Sequence, residues 1–266
     1  MRRALLAEWT KLTTVRSNLW TMLALPAVLA AGGVIIILST SRPGCQGDPR
    51  GCLPHDTTAL MLSGVHFSQI AALALAAAMI CSEFHPRMIH TTLAMNPRRT
   101  TVFTAKAVVL ATAVLATAAL GVASAVLLGR PSLTGRGLSA ELGYPQPALS
   151  AGALQRAAAG TVLYLVLVAL LSLGVSAIVR HSGAAIGTVL TALYGPYLAT
   201  LLIPMPPHTL HLVQDISPMT AGLAVQTTLA RAGTAPLPPW TGLAVLTAYT
   251  AGTLLIGGAL FTARDA

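Results

Sequence analysis

Residues 157–179 read AAAGTVLYLVLVALLSLGVSAIV. No Asp, Glu, Lys or Arg interrupts them, and each such residue at the centre of a bilayer helix would cost about 2.5–3.5 kcal/mol. A helix rises ~1.5 Å per residue, so roughly 20 residues cross the ~30 Å hydrocarbon layer. This run is therefore expected to span a membrane. Working outward, five further runs meet the same criterion: residues 18–39, 59–82, 107–129, 183–203 and 240–263. The expected fold class is an all-α integral membrane protein, one transmembrane domain over 1–266 with six spans.

Composition agrees. Charged residues are 9% of the chain and hydrophobic ones 55%, with a mean hydropathy of +0.74. Soluble domains carry about 25% charged residues, so most of this surface must face lipid. Aromatics are only 5%, and the Ala, Leu and Val that remain suit helices packed through small residues. The net charge of +9 could mark a phosphate binder, but the basic residues lie between the apolar runs rather than on one water-facing surface. No nucleic-acid partner is expected; membrane lipids are. The first apolar run is too long for a signal-peptide core and reads as a retained span.

With the N-terminus cytoplasmic, ten of the sixteen Lys and Arg residues fall inside: Arg2, Arg3, Lys11, Arg16, Arg87, Arg98, Arg99, Lys106, Arg180 and Arg264. Six fall outside, in loops that are longer in total: Arg42, Arg50, Arg130, Arg136, Arg156 and Arg231. The positive-inside rule then puts both termini in the cytoplasm. Cys45 and Cys52 share a short Pro- and Gly-rich outside loop, where a disulfide can persist; a bridge and two free thiols both fit, since spacing does not fix connectivity. Cys81 reads as a packing residue.

The loop 204–239 has prolines clustered toward its ends, and its apolar stretch 219–229 is too short to span, which fits an interfacial or re-entrant helix. Pro196, beside Gly195, is expected to kink or interrupt span 5, because proline removes a backbone hydrogen bond and crowds the preceding turn. No internal repeat is visible and only span 5 is expected to be broken, which weighs against an inverted-repeat secondary transporter.

Catalytic motifs are absent from the sequence. Neither lysine, Lys11 after Thr10 or Lys106 after Ala105, follows a glycine as a P-loop requires, so any use of ATP would have to come from another polypeptide. No His-Glu-x-x-His run occurs. Ser63 and His66 lie on one span, and an intramembrane serine protease needs its nucleophile and base to face each other from different helices. His208, His211 and Asp215 could share a helical face, but no third His or Cys lies near, so two exposed histidines is the preferred reading and no metal is expected. His66 is the one titratable group well inside a span; it reads as an interhelical hydrogen-bonding residue or as part of a functional path.

Two segments expected in the cytoplasm are more informative. Residues 1–16 place Leu5, Leu6, Trp9 and Leu12 on one face, the pattern of an amphipathic helix lying in the membrane interface. In the loop 82–106, Pro86 and Pro97 bound a short helix with Met88, Ile89 and Leu93 on its apolar side, followed by Arg98 and Arg99.

Ala7-Glu8-Trp9-Thr10-Lys11-Leu12, Val15-Arg16-Ser17, Ser82-Glu83-Phe84, Ile89, Thr91-Thr92-Leu93-Ala94, Pro97-Arg98-Arg99 and Ala105-Lys106 resemble membrane subunits of ABC-2 type ATP-binding cassette transporters. The likeness covers the first 110 residues closely. Beyond them it extends by span count and through Ser217-Pro218 with the apolar segment that follows. It implies a type V exporter fold in a bacterial inner membrane, with a connecting helix at 1–16, a coupling segment at 86–97 and short outer helices between spans 5 and 6. It also implies two such subunits, as a dimer with a second permease copy or homologue, working with cytoplasmic ATP-binding subunits. This chain would bind no cofactor; ATP and Mg would lie in the partner. Arg87, Met88, Ile89, His90, Leu93, Arg98 and Arg99 would contact the ATPase. The chain departs from the family pattern at Arg87, where Gly is usual, and at His90, where Arg is usual. His66, Gln69, Tyr194 and Tyr197 are the candidate residues lining a substrate path. The alternative is a non-transporting assembly or regulatory protein of the same fold; an adjacent reading frame with a Walker A motif would separate the two.

Overall fold

The computed structural model describes residues 1–40, 55–81, 99–138, 140, 144–145, 149, 151–229 and 237–263, and the only regular secondary structure among them is helical. In chain order the helices are α1 Arg2–Thr14, α2 Arg16–Ser39, α3 Thr57–Leu62, α4 Val65–Cys81, α5 Arg99–Gly135, α6 Gly152–Val179, α7 Ser182–Leu202, α8 Pro207–Ile216, α9 Pro218–Leu223, running into a 3-10 turn at Ala224–Gln226, and α10 Pro239–Ala263. Among the described residues six crossings are long and apolar enough to span a membrane: α2, α3 with α4, α5, α6, α7 and α10.

Local chemistry sets the ends of these elements. Asp56 caps α3, its Oδ1 accepting from the backbone N–H of Ala59 at 3.1 Å, the usual service of an N-cap carboxylate. Span 2, expected unbroken over 59–82, is interrupted by a turn at Ser63 and Gly64. Span 5, expected to be kinked or interrupted at Pro196, is not interrupted there: α7 continues through it as one helix. A Ser-Gly pair barely lowers hydropathy, so the real break is invisible to that measure, and a membrane helix absorbs a proline where neighbours satisfy the freed carbonyl.

At 37 residues, α5 is about 55 Å long and overruns the expected span 107–129 at both ends. It stops where Gly137 adopts φ 67°: the Leu138 N–H bonds to the Leu133 carbonyl at 3.0 Å, and both leucines are buried, the hydrophobic closure typical of a glycine C-cap. In the segment after α7, prolines start each element. Pro207 and Pro218 occupy first-turn positions of α8 and α9, where the missing N–H costs nothing.

The centre of the bundle is α6, which packs on α4, α5, α7 and α10 and is buried along most of its length. Backbones touch where side chains are absent. A Cβ on Gly64 would lie 2.0 Å from the Leu29 carbonyl oxygen, and one on Gly33 2.2 Å from that of Met61, so α2 crosses the break in span 2 at main-chain contact, the small-residue packing that membrane helices use in place of a hydrophobic drive. Interhelical hydrogen bonds add to it: Ser172 Oγ donates to the Leu73 carbonyl at 2.9 Å and Thr250 Oγ1 to that of Leu167 at 3.2 Å. The outer wall is apolar, with Trp20, Leu23, Ile35, Leu120, Leu127 and Leu255 all exposed, as lipid-facing positions require.

Helix α1 forms as expected, but the face carrying Leu5, Leu6, Trp9 and Leu12 divides. Leu12 is buried and Leu5 packs against the core, whereas Leu6 and Trp9 point outward. Glu8 turns inward instead and is only 4% exposed.

Candidate functional site

Two places concentrate polar chemistry. The first is at the end of the bundle that carries α1. Glu8 on α1 meets Lys106 on α5, Oε2 to Nζ 2.6 Å, and the same ammonium donates to the Met79 carbonyl near the end of α4 at 3.2 Å. Lys106 is 1% exposed. Lys11 reaches the other carboxylate oxygen of Glu8 at 3.2 Å. Desolvating two charges costs several kcal/mol per ion unless geometry and extra hydrogen bonds repay it; here one carboxylate engages two ammonium groups and one ammonium also engages a carbonyl. The knot joins three helices where the chain leaves α4 and enters α5. The segment between them, with Arg87, Met88, Ile89, His90, Leu93 and Arg98, lies outside the described residues; Arg99 opens α5, its side chain also outside them.

The second place is a cleft of about 320 Å³ at the opposite end, between spans 2 and 5 and the helices α8 and α9. His66 and Tyr197 line it together with His211, Gln214, Asp215 and Thr220. The rings of His66 and Tyr197 stack with centroids 6.4 Å apart. His211 and Asp215 are four residues apart on α8 and so share one face. Among the described residues no group of three or more His, Cys, Asp or Glu is placed to hold a metal ion.

The four path candidates therefore separate. His66 and Tyr197 are on the cleft wall. Tyr194 hydrogen-bonds the His66 carbonyl through its hydroxyl. Gln69 is fully buried, its Oε1 accepting from the Tyr164 hydroxyl and its Nε2 3.7 Å from the Met219 sulfur, which ties α4 to α6 and α9 inside the core. Cys45 and Cys52 lie outside the described residues.

Asp56 was not among the sequence candidates. Besides capping α3, its carboxylate accepts from the N–H groups of Thr228 and Leu229, at 2.5 and 3.1 Å, and from the Thr228 hydroxyl at 2.7 Å. Arg156 Nη2 donates to the neighbouring Thr227 carbonyl at 2.8 Å, and Arg136 Nη2 to that of Thr40 at 3.3 Å. These two arginines thus anchor main chain at this end. Beside them Tyr144 stacks on His55, centroids 4.6 Å apart, and burial pushes its phenol above the ordinary tyrosine range. The signal for Asp56 was available: it is an acidic residue directly before an apolar run, followed by Thr57 and Thr58.

No protein-family model matches the chain, and a comparison with curated proteins finds no match. The class defined by the fold is that of a multi-pass helical protein, its described residues holding six helices long and apolar enough to cross a membrane.

Proposed function

We propose that this chain is the transmembrane, permease subunit of an ABC-2 type exporter, forming the substrate path and coupling to a separate ATPase subunit. The observation that carries the reading is the meeting of Glu8 with Lys106. The two belong to two of the stretches of sequence, 7–12 and 105–106, on which the family resemblance rests, and Lys106 with its second partner, the Met79 carbonyl, flanks the coupling segment 86–97 that would touch the ATPase. In this reading the N-terminal helix braces the ends of α4 and α5, so that a push on residues 87–97 is delivered to both spans at once. ATP and Mg stay with the partner, and a second permease copy or homologue completes the path. Both termini lie in the cytoplasm, in a bacterial inner membrane. The cleft with His66 and Tyr197 then opens toward the outside and serves as the exit end of the path.

The test replaces Ile89 and Leu93 together with Asp. An apolar side docked in a groove of the ATPase would have to bury two carboxylates, so the double variant should insert normally, lose its co-purifying ATPase and stop transporting. Wild-type transport with the ATPase still bound would refute the coupling role. If no ATPase co-purifies with the wild-type chain from its native membrane, the exporter reading itself fails.

A further inference from the structure

An apolar cleft of about 440 Å³ lies between α6, α7, α8 and α10, walled mostly by aliphatic side chains such as Leu171, Val189 and Ile216, and no charged residue lines it. The cleft of His66 and Tyr197, about 320 Å³, differs in kind. Asp215 is the one formally charged residue on its wall besides the two histidines, and Met219, Leu223 and Leu237 give it an apolar side.

Asp215 is the anomaly. Three acidic residues are described: Glu8, Asp56 and Asp215. Glu8 engages two ammonium groups, and the Asp56 carboxylate accepts from the N–H groups of Ala59, Thr228 and Leu229 and from the Thr228 hydroxyl. Asp215 makes no hydrogen bond or ion pair among the described residues, in a chain that carries sixteen Lys and Arg. Its position sharpens the point. It lies in the last turn of α8, which holds no basic residue, and the C-terminal end of a helix already carries roughly half a negative elementary charge. An acidic side chain there works against the helix, so helix stability does not account for it. A cation set against it would answer both charges at once.

We propose that this cleft binds a protonated amine with a compact apolar body, the ammonium set against Asp215 and the apolar part against Met219, Leu223 and Leu237. The volume falls at the lower end of the roughly 300–1,000 Å³ typical of small-ligand sites. The other polar groups suit an N–H donor. Thr220 Oγ1 donates its own hydrogen to the Gln214 carbonyl at 2.6 Å, which leaves its oxygen to accept and ties α9 to the last turn of α8. Tyr197, stacked with His66, adds an aromatic face, and such a face attracts a cation within about 6 Å of its centroid. An anion would meet repulsion from both the carboxylate and the helix end. A bare metal ion lacks its ligands, since no three His, Cys, Asp or Glu converge among the described residues. That the amine is the exported substrate rests on the exporter reading; the binding site itself does not.

The test is isothermal titration of the full-length chain in phosphatidylcholine nanodiscs at neutral pH, with empty nanodiscs as the blank. Three probes share a phenylethyl group: phenethylamine, phenethyl alcohol and phenylpropionate. The amine should bind at least about 10-fold more tightly than the alcohol, the scale of a hydrogen bond to a charged group, and the carboxylate should give no heat beyond the blank. Asp215→Asn, nearly the same in shape, should erase the preference for the amine, while Asp215→Glu should keep it, which separates lost charge from a damaged fold. Tyr197→Leu should weaken the amine about 3-fold, the scale of a cation–π contact. Equal binding of amine and alcohol, a carboxylate bound as tightly as the amine, no binding of any probe, or a preference that survives Asp215→Asn overturns the proposal. The measurement needs no ATPase. Amine binding by a chain with which no ATPase co-purifies would leave the site standing and the exporter reading fallen, and a chain that holds its ATPase yet binds no amine would do the reverse.

Discussion

Glu8→Gln tests the charged knot most directly. The substitution preserves shape but leaves the Lys106 ammonium, 1% exposed, facing a neutral amide where it had a carboxylate at 2.6 Å. Removing one partner of a buried pair costs about 3–5 kcal/mol, chiefly because the remaining charge stays desolvated. Lys106→Met should cost less, toward about 3 kcal/mol on the same scale, because Glu8 keeps Lys11, whose side chain is 39% exposed and brings the charge nearer water. Replacing both with Met removes both desolvation costs together, and such double replacements are often neutral or stabilising by about 1–4 kcal/mol. The two single effects should therefore be far from additive, with a coupling well above the ~0.5 kcal/mol of independent sites. At roughly 2–4 °C per kcal/mol for a chain of this size, Glu8→Gln should lower Tm by about 6–20 °C. Tryptophan fluorescence on the purified chain in detergent reads this, since Trp9 adjoins Glu8. The burial also makes the loss nearly independent of salt, unlike that of an exposed pair. Shifts below about 2 °C for both single variants would refute the buried-pair account.

Gly64→Leu should force α2 away from span 2, since even its Cβ would lie 2.0 Å from the Leu29 carbonyl oxygen; a loss of at least about 3 kcal/mol, seen as poor expression and a lowered Tm, is expected, whereas Gly187→Ala, where a Cβ meets nothing, should be silent. Asp56→Ala should cost about 3 kcal/mol, a helix cap together with charge-assisted bonds, and should speed tryptic cleavage after Arg231 in intact protein. Single cysteines placed beside Arg136 and beside Arg180, in a background without native cysteines, should react with impermeant reagent from opposite sides of the membrane. Labelling of both from one side would overturn the orientation.

The spans were legible because charge is absent from them, a property that needs no partner to be read. Their ends were less so. Lys106 and Arg130 continue α5 beyond its apolar run, since a helix crosses the interface without regard to hydropathy. The two ties that matter most could not be read from local pattern, because Glu8 and Lys106 are 98 positions apart and Asp56 and Thr228 are 172 apart. Glu8 did carry a signal, lying three residues after Leu5 and four before Leu12, the inward side of α1. Gln69 stands out in a sequence as a polar group inside a span, but polarity alone does not distinguish a path residue from an interhelical bond. Its place between Tyr164 and Met219 is a matter of packing. His211 and Asp215 were recognisable as one face of a helix, while their convergence with His66 depends on how Pro206 and Pro207 turn the chain after α7.

Taken together, the ties divide the bundle unequally. At one end the Glu8–Lys106 pair binds α1, α5 and the end of α4; at the other, Asp56 and Arg156 fasten α3 and α6 to residues 227–229, and Arg136 fastens α5 to the end of α2. Among the described residues, α7 takes part in none of these. Its cross-links include the hydrogen bond from Tyr194 to the His66 carbonyl, a side-chain hydrogen bond between Tyr194 and Gln69, and the stacking of Tyr197 on the His66 ring, and most of its surface is exposed. A hydrogen bond between membrane helices averages about 0.6 kcal/mol, against about 3–5 kcal/mol for breaking a buried ion pair. Both clefts border α7, the polar one through Tyr197 and the apolar one through Thr188 to Pro196. The span that can shift at least cost is thus the one whose displacement would change the volume of both.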